Sequence, residues 1–216
     1  MVSQHFCLRA PVRCWYVWEY DARCRYDASP ANDLIANLKI RPSEVRRSRA
    51  RQHYKTAAIE YAATALRRLV PSGYAESDAT FVPVPGSKKT GDTEHDDRMV
   101  RVLQHAFAGR GADVRSMVEL RQSTAADHEG AERLSYEELL AVSSLNDLAR
   151  SRPRPIVVVV DDVLNSGKHF RVAQTLINTR FPHVKVRGLF LARCRRGAWG
   201  EVEKGRAVKS AVLTCE

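Results

Sequence analysis

An α/β fold, with a mostly parallel sheet flanked by helices, is what this sequence predicts. Three observations carry the expectation. Segments of helical and of strand periodicity alternate from Ser43 onward. Ile156-Val157-Val158-Val159-Val160 is an uninterrupted apolar run, as a strand buried on both faces requires. That run ends in two acids, Asp161 and Asp162, and in a glycine-bearing loop that opens a helix.

The elements follow in order. Cys14 to Tyr20 is rich in aromatic and branched side chains and reads as a strand; it stands before the alternation, so a separate cap over 1–42 is expected. Leu34 to Ile40 reads as a short helix or strand. Ser43 is positioned to cap one long helix to about Val70, with Tyr54, Ala58, Ala62, Ala65 and Leu69 on its apolar stripe. Thr80 to Val84 is a strand that runs into the polar loop Pro85 to Asp92. A helix with Met99, Leu103, Ala106 and Phe107 inward comes next, and Val114 to Leu120 is a strand. Arg121 to Leu134 has no periodicity, and a loop of that length in a compact domain is usually functional or disordered. Leu139, Leu140, Leu145 and Leu148 suggest a helix. Gly167 to Arg180 is a helix and Val184 to Ala192 a strand. The expected organisation is a cap over 1–42, a core over 43–195 and a basic tail over 196–216.

Composition narrows the function classes. With 216 residues and 44% hydrophobic side chains the chain can bury a substantial core. Its longest apolar run is far short of the roughly 20 residues of a membrane helix. Met1 to Trp18 carries polar and charged groups throughout, without a secretory pattern, so a cytoplasmic location and no membrane partner are expected. The five cysteines (Cys7, Cys14, Cys24, Cys194, Cys215) form no CxxC pair; reduced thiols are expected, with zinc on Cys7, Cys14, Cys24 and His5 as the lesser reading. A net charge of +10 favours polyanionic partners, nucleic acid among them. Arg46, Arg47, Arg49 and Arg51 read either as a solvated helix face or as contacts to a phosphate backbone. Trp15 and Trp18 read as packing residues, with base stacking as the alternative.

The chemistry concentrates in Ile156 to Phe170. Ligands in such sheets sit at the carboxyl ends of strands. A loop that feeds a helix N-terminus suits a phosphate, Gly167 permits close backbone approach, and Ser166 adds a hydroxyl. Two adjacent acids can grip vicinal hydroxyls or, less directly, a hydrated metal. A phosphate cradle beside two carboxylates meets the needs of a ribose 5-phosphate. The ATP-type phosphate loop is disfavoured: Asp162 stands where its first glycine belongs, and His169 rather than Ser or Thr follows Lys168.

This segment resembles the phosphoribosyl-diphosphate (PRPP) motif of the type I phosphoribosyltransferases, in which an apolar run, two acids and two apolar residues lead into a small phosphate loop. Phe81 to Lys88 sits where that family carries its pyrophosphate loop. Its Pro-Val-Pro start, and Leu34 to Lys39, resemble the ComF-like branch. Arg121 through Arg133, with Thr124 between, resembles the mobile catalytic loop. The resemblance implies a type I phosphoribosyltransferase-like (Rossmann-like) core with a small N-terminal hood. It implies transfer of ribose 5-phosphate from PRPP to a nucleobase-like nitrogen acceptor, with Mg²⁺ as cofactor. Asp161 and Asp162 would hold the ribose hydroxyls and, indirectly, the metal. Val163, Leu164, Asn165, Ser166, Gly167, Lys168 and His169 would bind the 5-phosphate. Pro85, Gly86, Ser87 and Lys88 would bind pyrophosphate, and Arg121 or Arg133 would close over it. A solvated surface loop is the other reading of Lys88, Lys89, Arg121, His128 and Arg133.

Two departures stand out. His169 replaces the usual Thr. Asn165 stands where 6-oxopurine enzymes carry an acid, and an amide cannot take a proton at neutral pH, which disfavours hypoxanthine or guanine as acceptor. The competing expectation is a non-catalytic module that senses PRPP or nucleotides or binds nucleic acid, as an accessory of DNA uptake, DNA processing or defence. A homodimer is compatible with either.

Overall fold

The computed structural model of the chain describes Cys7 and residues 12–21, 29–124 and 134–194. Arg133, His128, His5, Cys24, Cys215 and the 196–216 tail lie outside the described residues. Seven strands and six α-helices follow in the order β1 (Cys14–Tyr20), α1 (Pro30–Leu38), α2 (Pro42–Arg47), α3 (Arg49–Leu69), β2 (Ala79–Pro83), α4 (Arg98–Ala106), β3 (Asp113–Val114), β4 (Val118–Leu120), α5 (Tyr136–Ala141), β5 (Ser143–Leu145), β6 (Ile156–Leu164), α6 (Lys168–Arg180) and β7 (Lys185–Cys194). Five strands form one parallel sheet in the order β1-β7-β6-β2-β3, and β4 and β5 form a separate antiparallel ribbon.

The apolar run lies at the sheet's centre, as its composition requires. Val158 and Val160 pack into the layer of α1, α3 and α4, and Val157 and Val159 into the layer of α6. The chain leaves β2 through α4 to reach β3 at one edge. It leaves β6 through α6 to reach β7 on the other side, with the two helices on opposite faces of the sheet. Right-handed crossovers impose this arrangement. The neighbouring strands β2 and β6 are therefore where the winding reverses, and a crevice opens at their carboxyl ends.

Four expectations need correction. Cys14–Tyr20 does not stand apart in a cap: it is the edge strand of the main sheet, in register with β7 from Cys14 opposite Gly188 to Tyr20 opposite Cys194. Both its faces find apolar cover, Cys14 and Tyr16 on the α6 side and Val17 on the α3 side, and this favours pairing over separation. The long helix begins later than Ser43. Ser48 is extended and its hydroxyl accepts the Arg51 N–H, while Ser43 is drawn off to Glu94 by its own N–H and hydroxyl. The buried stripe of α3 is Lys55, Ala58, Ile59, Ala62, Ala63 and Leu66, which turns Tyr54 outward at 51% exposure.

Val114 to Leu120 is not one strand. Arg115 donates its N–H to Phe81 and its guanidinium to Asp113 and Ser151, so the chain leaves the sheet there and restarts as β4. The helix predicted through Leu148 stops at Ala141, because Ser143 to Leu145 pairs with β4 instead.

Gly188 has a packing reason. A Cβ there would lie 2.7 Å from Phe190, 2.8 Å from Cys14 Sγ and 3.2 Å from Phe170. Gly188→Ala is expected to cost about 1–3 kcal/mol by overpacking, read as a lower urea midpoint at unchanged slope; an unchanged midpoint refutes the close packing of β1 on β7.

Candidate functional site

β2 and β6 stay hydrogen-bonded as far as the Val84 N–H, which donates to the Val160 carbonyl at 2.9 Å. Beyond that point the strands part. The Asp162 N–H goes to the Asp161 carboxylate, 2.7 Å away. β6 itself continues beside β7, with Val163 opposite Ala192 and Leu164 opposite Arg193. Val163 and Leu164 are thus strand residues, and Leu164 is fully buried. Strand pairing with β7 reaches these two residues because the apolar run extends past the acids, so they precede the loop as the sequence pattern has it. The loop proper is Asn165-Ser166-Gly167. Gly167 takes a left-handed φ of 81°, which a residue without Cβ adopts at little cost, and it starts α6. Ser166 Oγ accepts the Lys168 N–H at 3.3 Å, and the Ser166 carbonyl accepts the Cys7 N–H at 3.0 Å.

The two acids play different parts. Asp162 is only 4% exposed. Its Oδ2 accepts Arg98 Nε at 3.0 Å and Arg98 Nη2 at 2.6 Å, and Lys39 Nζ lies 3.4 Å from its Oδ1. Arg98 Nη1 also donates to Asp96, 3.0 Å away, which in turn accepts Lys55 Nζ at 2.7 Å; Lys55 donates as well to the Ile40 carbonyl. A continuous chain of charge therefore runs Lys39–Asp162–Arg98–Asp96–Lys55. Burial opposes the charge on Asp162, but Lys39 and Arg98 outweigh it and hold the carboxyl well below the usual carboxylate range. Burial lowers the Lys55 pKa, against the pull of Asp96. Among the described residues no such cation contacts Asp161. Burial, then the neighbouring Asp162 charge, pushes its carboxyl up. One acid is locked as an anion, while the other is poised to accept hydrogen bonds or a proton.

The loop after β2 reaches the same crevice. Pro85, Gly86, Ser87, Thr124 and His169 share a shallow cleft with Leu120, Leu139, Val172 and other apolar side chains of β4, α5 and α6. Of the sequence-predicted residues, Pro85, Gly86, Ser87 and His169 are brought together here, whereas Lys88, Asp161, Asp162 and residues 163–168 do not line this cleft. The loop is tied to the start of the long 121–134 segment. Thr124 donates its N–H and hydroxyl to the Ser87 carbonyl, Lys88 Nζ donates to the Thr124 carbonyl, and Ser123 Oγ donates to Asp92. Lys168 Nζ donates to the Leu134 carbonyl. Both candidate phosphate lysines thus sit on backbone carbonyls of that segment. Arg121 follows β4, exposed, with its N–H on the Val142 carbonyl, and does not line the cleft.

Among the described residues no group of three or more His, Cys, Asp or Glu side chains could hold a metal ion. With Asp162 committed to Arg98 and Lys39, Asp161 is the carboxylate that would face a Mg²⁺ brought in by a ligand's phosphates. Arg98 and Lys55 escaped the sequence reading. Arg98 looks like any basic residue opening a helix. Lys55 did carry a signal: a lysine in phase with Ala58, Ile59, Ala62 and Leu66 must find an internal partner. Searches for similar proteins found no family model and no curated protein that matches the chain.

Two predictions follow from the charge chain. Arg98→Met leaves buried Asp162 with only Lys39 and Asp96 with only Lys55, and is expected to cost about 3–5 kcal/mol in urea unfolding, partly recovered by Arg98→Met/Asp162→Asn. A cost below 1 kcal/mol refutes the pairing. A carboxyl whose folded pKa is raised contributes stability below its unfolded value near 4, and that stability is lost as pH rises through the folded value. Asp161→Asn keeps the acceptor for the Asp162 N–H without the charge. Its stability relative to the native chain is therefore expected to rise between about pH 4 and pH 8; a variant that loses ground across this range would place the Asp161 pKa below its ordinary value.

Proposed function

We propose that the chain binds PRPP at the crevice between β2 and β6 and transfers its ribose 5-phosphate group to a nitrogen acceptor. The observation that carries this reading is the convergence of the loops after these two strands, Pro85–Ser87 and the start of α6 at His169, on one cleft at the reversal of the sheet. Ser166 and Gly167 precede His169 on one side and Lys88 follows Ser87 on the other, beside the cleft, an arrangement that suits a ligand with phosphates at both ends.

The reading assigns these roles. Ser166 and the first turn of α6 receive the 5-phosphate. Gly86, Ser87 and Lys88 receive pyrophosphate, which requires Lys88 to exchange the Thr124 carbonyl for a phosphate oxygen. Asp161 takes the ribose hydroxyls. Asp162 acts through its neighbours, holding Arg98 and Lys39 in place. Mg²⁺ bound to the ligand's phosphates would neutralise charge on the departing pyrophosphate. In the reaction the bond from ribose C1 to the pyrophosphate oxygen breaks, the acceptor nitrogen forms its bond to C1, and the acceptor's proton is released. Catalysis here rests on placing fixed charge where charge develops. The runner-up reading keeps the ligand and drops the chemistry: a PRPP or nucleotide sensor accessory to DNA uptake, DNA processing or defence. The charge of +10 favours a partner role of that kind.

Calorimetric titration of PRPP, with and without Mg²⁺, tests the proposal, and Mg²⁺ alone is expected to give no heat of binding. Lys88→Ala is expected to weaken PRPP about ten- to a hundredfold, the loss of one charge-assisted contact, while leaving ribose 5-phosphate unaffected. Ser166→Ala is expected to weaken both. Absence of PRPP binding by the folded protein overturns the reading. Binding without pyrophosphate release over a panel of nitrogen acceptors selects the sensor.

A further inference from the structure

We propose that the outward face of α2 and α3 binds single-stranded nucleic acid, stacking bases on Tyr61 and Tyr54 and neutralising phosphates with Arg47, Arg49, Arg51 and Arg68. The inference is independent of the cleft and of any reaction there.

It begins with two exposed aromatic side chains on one helix. Tyr54 and Tyr61 are 51% and 56% exposed, on the flank of the stripe that supplies the core. They stand seven residues apart, two turns, so both rings leave the same side of α3, about 10 Å from one another along its axis. That spacing is roughly three base steps of 3.4 Å. Tyr61 is not loose. It stacks on Trp18 of β1 with ring centroids 5.6 Å apart and planes 16° from parallel, which leaves an ordered ring on the outside of the column. His53 packs against Tyr54, 6.0 Å between centroids. A base laid on Tyr61 extends an existing stack, and one laid on Tyr54 begins a second.

The charge around these rings has one dominant sign. Arg47, Arg49, Arg51 and Arg68 are exposed, and among the described residues no carboxylate pairs with them. Arg46 is already engaged by Glu94 at 2.8 Å, and Glu60 is an acid on the outward face of α3. Within residues 46–51 the exposed cations outnumber the acids, so a strand lying along the helix meets positive charge at its phosphates. A second copy of this chain would set like charges against each other. A duplex keeps its base faces inside the stack, out of reach of the rings. Exposed aromatic faces among unpaired arginines therefore fit a single strand, whose bases are free to stack.

Fluorescence anisotropy of a labelled oligothymidylate of about 20 nucleotides, with the full chain, tests this. Binding is expected at about 50 mM salt and should weaken at least tenfold by about 200 mM. Tyr54→Ala/Tyr61→Ala should weaken it tenfold or more. Arg47→Ala/Arg49→Ala/Arg51→Ala should flatten the logarithmic salt slope by about 2. Every substituted side chain is exposed, so melting temperatures should hold. If Tyr61→Ala disturbs Trp18 and the double variant fails to fold, Tyr54→Ala alone leaves that stack intact and carries the test, with at least fivefold weakening expected. Tyrosine variants that bind like the native chain overturn the proposal, as does equal affinity for a duplex of the same length or for heparin.

Discussion

The buried pairing of Arg98 with Asp162 is the constraint on which the rest of the site depends. It ties the end of the central strand to the first residue of α4. Through Asp96 it reaches Lys55 on α3, and through the other Asp162 oxygen it reaches Lys39 just past α1. Four separate pieces of chain are thereby joined at the carboxyl end of the sheet. An ion pair in such a place adds little net stability over an apolar substitute, because desolvation cancels most of the attraction. What it contributes is position: removing either partner leaves a buried charge short of a counter-ion, so the four pieces hold one arrangement.

The pairing also explains why two neighbouring acids differ. Where β2 and β6 separate, the Asp162 N–H loses its strand partner and takes the Asp161 carboxylate. The Asp162 side chain points to the cations of α1 and α4, and its charge raises the cost of ionising Asp161 beside it. The asymmetry is a product of sheet geometry: a fork between strands, with cations supplied from one side.

α3 connects the interior to the surface. Lys55 enters the charge chain from one side of its first turns, while Tyr54, the preceding residue, leaves from the other. The buried stripe is built from small residues, Ala58, Ala62 and Ala63 with Ile59 and Leu66, which lets the helix lie close to the sheet. The arginines gather at the free N-terminal end, next to the Thr93–Glu94 turn that Arg46 grips.

Much of the fold was legible in the sequence, because the signals were local. The apolar run Ile156–Val160, the inward positions of α4 and α6, and Gly167 before a helix each depend on periodicity or on one residue's backbone freedom. The loops that share the cleft were legible too, since they follow strands that could be recognised. Other features depended on competition between distant segments. Cys14–Tyr20 could have packed as a separate cap, and only the open edge of β7 made it a fifth strand. Ser43 and Ser48 are both fair helix caps, and Glu94, far along the chain, claimed the first. Ser143 to Leu145 suits a helix until β4 offers a ladder. Asp162 read as a ligand group until Arg98 and Lys39 arrived from other elements. Sequence by itself determined the central strand, the helices α4 and α6 and the glycine-opened loop before α6, since those follow from local sterics and patterning. Tertiary structure decided which charges are spent on one another, because that depends on distances between residues that the chain keeps far apart.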